Sequence, residues 1–358
     1  MSMLAELVDV VIGIDTHKHT HTAAVVNAAT GAEVATVTVD TDPDGYAELV
    51  ALADNHSGLR AWSIEGTGGY GAGLARFLAE RDELVIELDR PNRPARRNGA
   101  KSDPLDAIRA AREALTREHL AQPRASGERA ALSVRLAARR SAVDASTVAQ
   151  RQLLSLITAS PEAIRGRFRN LSTTVTIATA AKLRSSPTWD IETRTYAEVL
   201  RDLARRIQAM KTEAASHEKA ILAVVRSWRP DLLDQPGVGP IVAATVLCAW
   251  SHPGRFRHDG AFANLAGVAP IPASSGVTVR YRLNRCGDRQ LNRAIHVVVL
   301  SRLRYDPATR AYAERRRVDK TDREIKRCLK RYVARQVHRA ILHDIANIET
   351  ARPPALAA

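Results

Sequence analysis

The sequence predicts an α/β domain followed by regions that are almost entirely helical, and three observations support this fold class. Five short apolar segments, separated by turn residues and two helical patterns, occupy the first ninety residues. Beyond residue 104, apolar residues recur at helical spacing over long stretches. Aromatic residues amount to only 4% of the 358, while Ala, Leu and Arg abound, a composition that favours helices over an all-β fold.

The first region is predicted to be a mixed sheet flanked by helices. Residues 9–15 form an apolar strand, and residues 21–29 and 33–39 alternate as two further strands that meet at a turn containing Gly31. The next elements are a helix at 44–53, a strand at 60–65, a helix at 70–80 and a strand at 84–88. A three-stranded meander followed by crossover connections is typical of ribonuclease-H-like folds.

The rest of the chain is predicted to form a helical middle and a mostly helical C-terminal domain. A helix begins near Pro104 with Asp103 as its cap, and two long antiparallel helices, or a coiled coil, cover 132–156 and 196–225. A loop at 232–240 precedes an apolar helix at 241–250, and further helices extend to about residue 348. The predicted domains are 8–120, 121–228 and 229–348, followed by a disordered tail at 349–358.

Charge is distributed unevenly along the chain. The net charge is +14, yet residues 1–106 carry a net −8 and the remainder a net +22. An acidic front followed by a strongly basic body favours a metal-binding domain joined to regions that bind a polyanion such as nucleic acid. Basic composition by itself is also typical of proteins from arginine-rich proteomes.

Several classes of protein are not supported by the sequence. Three cysteines, Cys248, Cys286 and Cys328, form neither a paired framework nor a close-spaced metal motif, as is typical of a reduced cytoplasm. No run of about 18 uncharged apolar residues is present, so no membrane span is predicted. The N-terminus lacks the basic start and apolar core of a signal peptide, and we therefore expect a cytoplasmic protein.

Four carboxylates are the candidate metal ligands: Asp15, Glu65, Asp103 and Asp106. Asp15 and Glu65 each end an apolar strand, where open sheets usually place ligands. Asp103 and Asp106 lie three residues apart and so share one face of the predicted helix. Such an oxygen cluster suits Mg²⁺, or Mn²⁺, and two-metal phosphodiester chemistry. Each acid taken alone is explained as well by a strand end or a helix cap, and only their joint order favours a site.

Three histidines, His17, His19 and His21, follow the first of these acids. A histidine metal site is one interpretation of this tract. We favour the simpler interpretation, in which these histidines alternate along the chain as it enters the second strand. The neighbouring carboxylates suit a hard cation, which prefers oxygen ligands to histidine.

Basic and glycine residues predicted to contact nucleic acid fall in three places. The first is the loop 90–101, with Arg93, Arg96, Arg97 and Lys101. The second is the sequence PGVG at 236–239, with Gly237 and Gly239, which resembles a helix-hairpin-helix loop whose backbone N–H groups bind a phosphate. The third follows a Ser-Ser-Gly loop at 274–276 and comprises Arg280, Arg282, Arg285 and Arg289. A serine of that loop is a candidate nucleophile towards a phosphodiester, although Ser-Gly loops are common and the motif alone leaves this open.

These motifs together resemble the transposases of the insertion-sequence 110 family, over nearly the whole chain. In the first part the resemblance rests on GIDTHK at 13–18, EGTGGY at 65–70 and KSDPLDA at 101–107, which look like the family's DEDD motif on a RuvC-like domain. In the last part it rests on PGVG at 236–239, LAGVAP at 265–270, Ser-Gly at 275–276 and CGD at 286–288.

The resemblance implies a DNA transposase and recombinase with a composite active site. Its four acids correspond to Asp15, Glu65, Asp103 and Asp106 and bind Mg²⁺. Its catalytic serine corresponds to Ser275, with Ser274 adjacent, and forms a covalent intermediate with DNA. Members of the family work as homo-oligomers, dimers or tetramers, and a noncoding bridge RNA guides them to donor and target DNA. The arginines are then expected to contact RNA as well as DNA.

Three alternatives remain at this stage. A RuvC-type junction nuclease would use the same acids with water as the nucleophile and would not need Ser275. A nucleic-acid-binding module without chemistry would show steep salt dependence and no metal requirement. A sugar-kinase-like ATPase shares the Gly-Ile-Asp strand and the Gly-rich turn, but the pair Asp103 and Asp106 and the basic body argue against it.

Overall fold

The structure is a computed structural model and describes residues 3–88, 102–273 and 281–351. The chain divides into two compact units, Met1–Ala125 and Ser126–Ala358. In the described parts, no helix is long and apolar enough to cross a membrane.

The first unit is built on a five-stranded sheet with the order β3-β2-β1-β4-β5. Its strands are β1 (Val10–Thr16), β2 (Thr20–Asn27), β3 (Glu33–Asp40), β4 (Arg60–Glu65) and β5 (Val85–Leu88). β1, β2 and β3 pair antiparallel, whereas β4 and β5 run parallel to β1 and to each other. The predicted meander with crossovers, and with it the ribonuclease-H-like arrangement, is confirmed.

Helices cover both faces of this sheet, because alternate residues of β1 and β4 are apolar on each side. The helices are α1 (Pro43–Asp54), α2 (Ala72–Ala79) and α3 (Asp103–Thr116). Ile12, Ile14 and Trp62 are buried in one core with residues of α1 and α2. On the other face, Val11 and Ala61 are buried in a second core with residues of α3. Gly13 and Ser63 lie on the α3 face.

The second unit contains only helices and one short hairpin among its described residues. The helices are α4 (Gly127–Ala159), α5 (Glu162–Arg165), α6 (Thr173–Ala180), α7 (Ile191–Trp228), α8 (Pro240–Trp250), α9 (Asp259–Leu265), α10 (Arg289–Tyr305), α11 (Pro307–Arg316) and α12 (Asp322–Ala351). The hairpin pairs β6 (Ile271–Pro272) with β7 (Tyr281–Arg282). The two long helices predicted from the apolar spacing are confirmed as α4 and α7.

α4 and α7 pack antiparallel and take part in two cores. Leu153 of α4 is buried with Leu200 and Leu203 of α7 in a core closed by α5 and α6. At the other end of the pair, Leu132 and Ile221 are buried in the larger core formed with α8, α10 and α12. The long helices therefore continue into the C-terminal core.

Candidate metal centre and basic cleft

Strand pairing brings Asp15 and Glu65 together at one end of the sheet. β1 and β4 are parallel neighbours in which Ile14 is paired with Ile64. The next residues are Glu65, which ends β4, and Asp15, which is the last but one residue of β1. Both isoleucines are fully buried on the α1 and α2 side, so by alternation both acids lie on the face that α3 covers. Thr16 donates its hydroxyl hydrogen to the carbonyl of Glu65 at 3.0 Å, which joins the two strand ends.

A close approach of α3 to β1 positions the other two acids. Gly13 has no side chain, and a Cβ atom there would lie 2.0 Å from the carbonyl oxygen of Ala107 and 2.6 Å from the backbone nitrogen of Ala111. The hydroxyl of Ser63 donates to the carbonyl of Ala110 at 2.8 Å, buried between β4 and α3. These contacts hold the helix on the sheet and its first turn beside the strand ends.

The first turn of α3 differs slightly from the prediction. The helix begins at Asp103, with Ser102 at the cap position and Pro104 within the first turn, so Asp103 is not the cap. The backbone N–H groups of this first turn have no partner within the helix. Their partial positive charge electrostatically favours an acid in the turn. Asp103 and Asp106 both keep the shared face that their spacing predicted.

Three ligand atoms converge at this point, and one of them comes from a histidine. Nε2 of His17 lies 3.1 Å from Oδ2 of Asp15 and 3.6 Å from Oδ1 of Asp103. The three side chains can place one ligand atom each within 4.8 Å of the others. Ligand atoms in neighbouring positions around a six-coordinate cation, each about 2.1 Å from the metal, are about 3.0 Å apart. The group therefore fits a divalent cation.

The remaining acids flank this group. Asp106 accepts a hydrogen bond from Nη1 of Arg109 at 2.8 Å, an interaction within one helical turn that fixes its carboxylate. Glu65 is half-buried next to Asp15 through the strand pairing. Sequence reasoning favoured alternation over a metal site for His17 and did not identify Arg109. The meander predicted the return of β1 into β2, but nothing in the sequence indicates that the His17 ring turns towards Asp15 and Asp103.

The pKa of the Asp15 carboxyl is raised mainly because the side chain is buried. The negative charges of Asp103 and Asp106 raise it further, while His17 opposes the shift. Only about 18% of this side chain is exposed, so water screens the charge poorly. A bound cation would offset that cost.

Some of the residues predicted to contact nucleic acid lie in the described part of the chain, and others lie outside it. Arg93, Arg96, Arg97 and Lys101 lie outside the described residues, as do Ser274, Ser275 and Arg280. Arg282, Arg285 and Arg289 are exposed and line one cleft of about 780 Å³ in the second unit.

The loop with Gly237 and Gly239 joins a short turn after α7 to α8, as predicted. Gly237 has φ +78°, and a Cβ there would lie 3.1 Å from Cβ of Ser301, so the loop packs tightly on α10. The buried Arg302 donates from Nε to the carbonyl of Pro236 at 2.7 Å. Gly239 occupies the cap position of α8 and is exposed.

The strand order, the two strand-end acids and the acidic pair on the covering helix define a ribonuclease-H-like domain with a candidate metal centre. Comparisons with known proteins agree with this class. A family model described as a transposase of the DEDD IS110 type matches residues 12–160, and another, described as the transposase IS116/IS110/IS902 family, matches residues 230–314.

Two relatives are proteins of insertion elements. The 42 kDa protein of insertion element IS900 from Mycobacterium paratuberculosis is 27% identical over 360 residues, covering 86% of this chain and 89% of that protein. The 43.6 kDa protein of insertion element IS110 from Streptomyces coelicolor is 32% identical over 122 residues, covering 33% of this chain and 30% of that protein. The chain belongs to the IS110 family of transposases, and is accordingly a DNA-processing enzyme.

Proposed function

We propose that this transposase cleaves and rejoins DNA strands at the ends of an insertion sequence, with Mg²⁺ or Mn²⁺ held by Asp15, Glu65, Asp103 and Asp106. The observation that carries the proposal is the convergence of Asp15, His17 and Asp103 on one point at the strand ends. Glu65 and Asp106 stand beside this group on β4 and on α3.

Each residue has a defined part in this proposal. When bound, a divalent cation would polarise a phosphoryl oxygen and ease ionisation of the attacking hydroxyl. Asp15 and Asp103 would hold it through the oxygens that now face His17, and Glu65 would extend the site along the sheet edge. Arg109 orients the carboxylate of Asp106 and is therefore a positioning residue.

The proposed nucleophile is Ser275, with Ser274 as the adjacent alternative. The serine oxygen would bond to phosphorus as the bond from phosphorus to a sugar oxygen breaks, leaving the DNA strand covalently attached to the protein. The exposed Arg282, Arg285 and Arg289 follow the serine segment and would offset the charge that develops on the phosphate.

The partners follow from the family and the charge. Donor and target DNA are the substrates, and a noncoding guide RNA would select them by base pairing, so that the protein would need no sequence-reading helix. The net +22 of the chain beyond residue 106 supports contact with both nucleic acids. A homo-oligomer, dimer or tetramer, would complete the composite site, and we expect it to act in the cytoplasm at the nucleoid.

Excision in cells tests this function. The gene is supplied with its native flanking DNA, and the joined ends of the excised circle are amplified for the wild type, Asp15→Asn, Ser275→Ala and Ser274→Ala. Asp144→Asn, which changes an exposed acid on α4, is the matched control. We expect the junction to disappear with Asp15→Asn and Ser275→Ala and to persist with the other two.

Two results would contradict the proposal. A junction that persists in Asp15→Asn would remove the metal site from the reaction. A junction that persists in Ser275→Ala but not in Asp15→Asn would leave Ser274 or water as the nucleophile. In that second case, a variant with both Ser274→Ala and Ser275→Ala separates the two nucleophiles. A junction that still persists would favour water, as in RuvC-type nuclease chemistry.

A further inference from the structure

We propose that the cleft of the second unit binds a single nucleic-acid strand, with its phosphates along α12 and its bases against exposed tyrosines. The choice of nucleic acid over other polyanions rests on the proposed function. Three points go beyond the proposed function: that the ligand is a single strand, that it lies in this cleft, and that residues of α12 contact its phosphates.

The cleft lies entirely within the second unit. Its walls are the chain after α9, the stretch from Tyr281 to Arg289, one side of α10 and the first half of α12. The stem of the β6–β7 hairpin borders it, since Pro270 and Tyr281 both belong to the lining. Its volume of about 780 Å³ is within the range of sites that enclose a ligand.

Positive charge in this cleft is hardly neutralised. Nine Lys and Arg side chains line it, against one acid, Asp288. The Asp288 carboxylate already accepts the backbone N–H groups of Gln290 and Leu291 as the cap of α10. Of the nine cations, only Arg335 forms an ion pair with a carboxylate in the described part of the chain, that of Asp259. Such an array favours a polyanionic partner.

The spacing of the cations indicates a chain of phosphates. Arg323, Arg327 and Arg331 follow one another four residues apart on α12, and Lys326 and Lys330 form a parallel row. Residues four apart on a helix are about 6 Å apart along its axis. A row of charges of this length follows an extended anionic backbone better than it encloses one small anion.

Exposed aromatic rings distinguish a single strand from a duplex. Tyr281 is 63% exposed and Tyr332 49% exposed, and both line the cleft among the cations. In a duplex the base faces are already stacked, so such rings would have no partner. Cations interleaved with accessible aromatic rings are typical of proteins that bind single strands.

The cleft also contains polar groups suited to direct contact. Nζ of Lys330 donates to Oδ1 of Asn292 at 2.9 Å, and Asn292 in turn donates to the carbonyl of Ala266. Nδ1 of His296 is buried without a hydrogen-bond partner in the described parts. Burial and the neighbouring Arg327 lower the pKa of Lys330, and burial with Lys330 and Lys326 lowers that of His296. A phosphate placed here would relieve this repulsion.

Fluorescence anisotropy of the full chain without divalent ions tests the proposal. The probes are a labelled 12-nucleotide DNA strand, the same sequence as RNA, and the corresponding DNA duplex, each titrated between 50 and 200 mM salt. We expect either single strand to bind more tightly than the duplex, and the two strand probes then identify DNA or RNA as the better ligand.

Variants then locate the binding to the cleft. Arg327→Gln should weaken binding and reduce the slope of log K against log salt by about 0.7 for each phosphate that the variant no longer neutralises. Tyr281→Leu should weaken binding by about 5- to 150-fold, whereas Tyr281→Phe, which keeps the ring, should bind like the wild type. Arg206→Gln, which removes an exposed cation of α7 outside the cleft, is the matched control.

The outcomes separate this inference from the proposed function. Equal binding of strand and duplex, or wild-type affinity in both Arg327→Gln and Tyr281→Leu, overturns the single-strand cleft even if excision still depends on Asp15. Loss of strand binding in the cleft variants supports the single-strand cleft. This holds even if Asp15→Asn still gives the excision junction and the proposed metal site is therefore refuted.

Discussion

Replacing Gly13 by Ala should damage the candidate metal centre without touching any of its acids. Gly13 lies where α3 approaches β1 closely, and the added Cβ would meet the Ala107 carbonyl oxygen at 2.0 Å and the Ala111 nitrogen at 2.6 Å. Both are backbone atoms, so no rotamer change relieves the clash. The helix must move away from the strand.

The size of the effect follows from these distances. Real Cβ atoms essentially never approach closer than 3.0 Å, so α3 must shift by about 1 Å at this point. Overpacking of a well-packed core typically costs about 1–3 kcal/mol. The first turn of α3 carries Asp103 and Asp106, so the same shift displaces them from Asp15. A misplacement of about 1 Å at a reacting centre costs about a hundredfold in rate.

Three measurements check this prediction: urea denaturation, calorimetric titration with Mn²⁺, and the amount of excision junction. Gly68→Ala is the matched control, because a Cβ at Gly68 meets nothing within 4 Å and its φ is not positive. Ala111→Gly in the Gly13→Ala background should not restore the wild type, since the clashes with backbone atoms remain. Wild-type stability together with wild-type Mn²⁺ affinity in Gly13→Ala would refute the reasoning.

Three further predictions concern charge. Asp15→Asn should raise the melting temperature of the metal-free protein at pH 7, because an acid whose pKa is raised by folding costs stability when it is ionised. The advantage should shrink as the pH falls through the raised pKa of Asp15 and be gone below about pH 4, the pKa of the unfolded chain. Saturating Mg²⁺ should make the wild type melt at a higher temperature than Asp15→Asn, because only the wild type gains binding free energy. Melting curves of both proteins with and without Mg²⁺ check these two expectations. His17→Ala should weaken Mn²⁺ binding more than Mg²⁺ binding, because an imidazole nitrogen favours the softer ion; equal losses for the two ions in calorimetry would exclude His17 as a ligand. Glu83→Gln should cost about 1–3 kcal/mol at pH 7, because Glu83 accepts from the Arg60 guanidinium and from Nε1 of Trp62 at 2.8 Å. Arg60 holds the pKa of Glu83 low, so its contribution should be present at neutral pH and be lost as the pH falls through that lowered value; a constant difference down to pH 2 in urea titrations would contradict this.

Much of the fold was predictable because local patterns and long-range structure agree in this chain. The apolar runs of β1, β4 and β5 and the alternation of β2 and β3 each predicted a strand within two residues of its observed ends. The spacing of apolar residues predicted α4 and α7 but not that both would enter the C-terminal core. That packing depends on where α5 and α6 turn the chain back, and no local pattern specifies it.

The candidate site was predicted in part. Parallel pairing of β1 with β4 makes Asp15 and Glu65 neighbours, and strand-end acids are recognisable in a sequence. His17 was assigned to simple alternation, because nothing in the order of residues shows that its ring turns back to face both Asp15 and Asp103. The cations of α12 belong to the part of the chain beyond residue 106 that carries a net +22, but their common cleft with Arg282, Arg285 and Arg289 joins segments about forty residues apart.

The sequence by itself determined the strands of the first unit and the two long helices, which four acids are available and which part of the chain carries the positive charge, because these depend on periodicity and composition. The tertiary structure alone decided that α3 approaches β1 at Gly13, that His17 joins two of the acids, and that two basic segments share one cleft with exposed tyrosines. These features are distances between residues far apart in the chain. They depend on which surfaces pack together, since burial and steric contact act on the folded arrangement and leave no local trace in the order of residues.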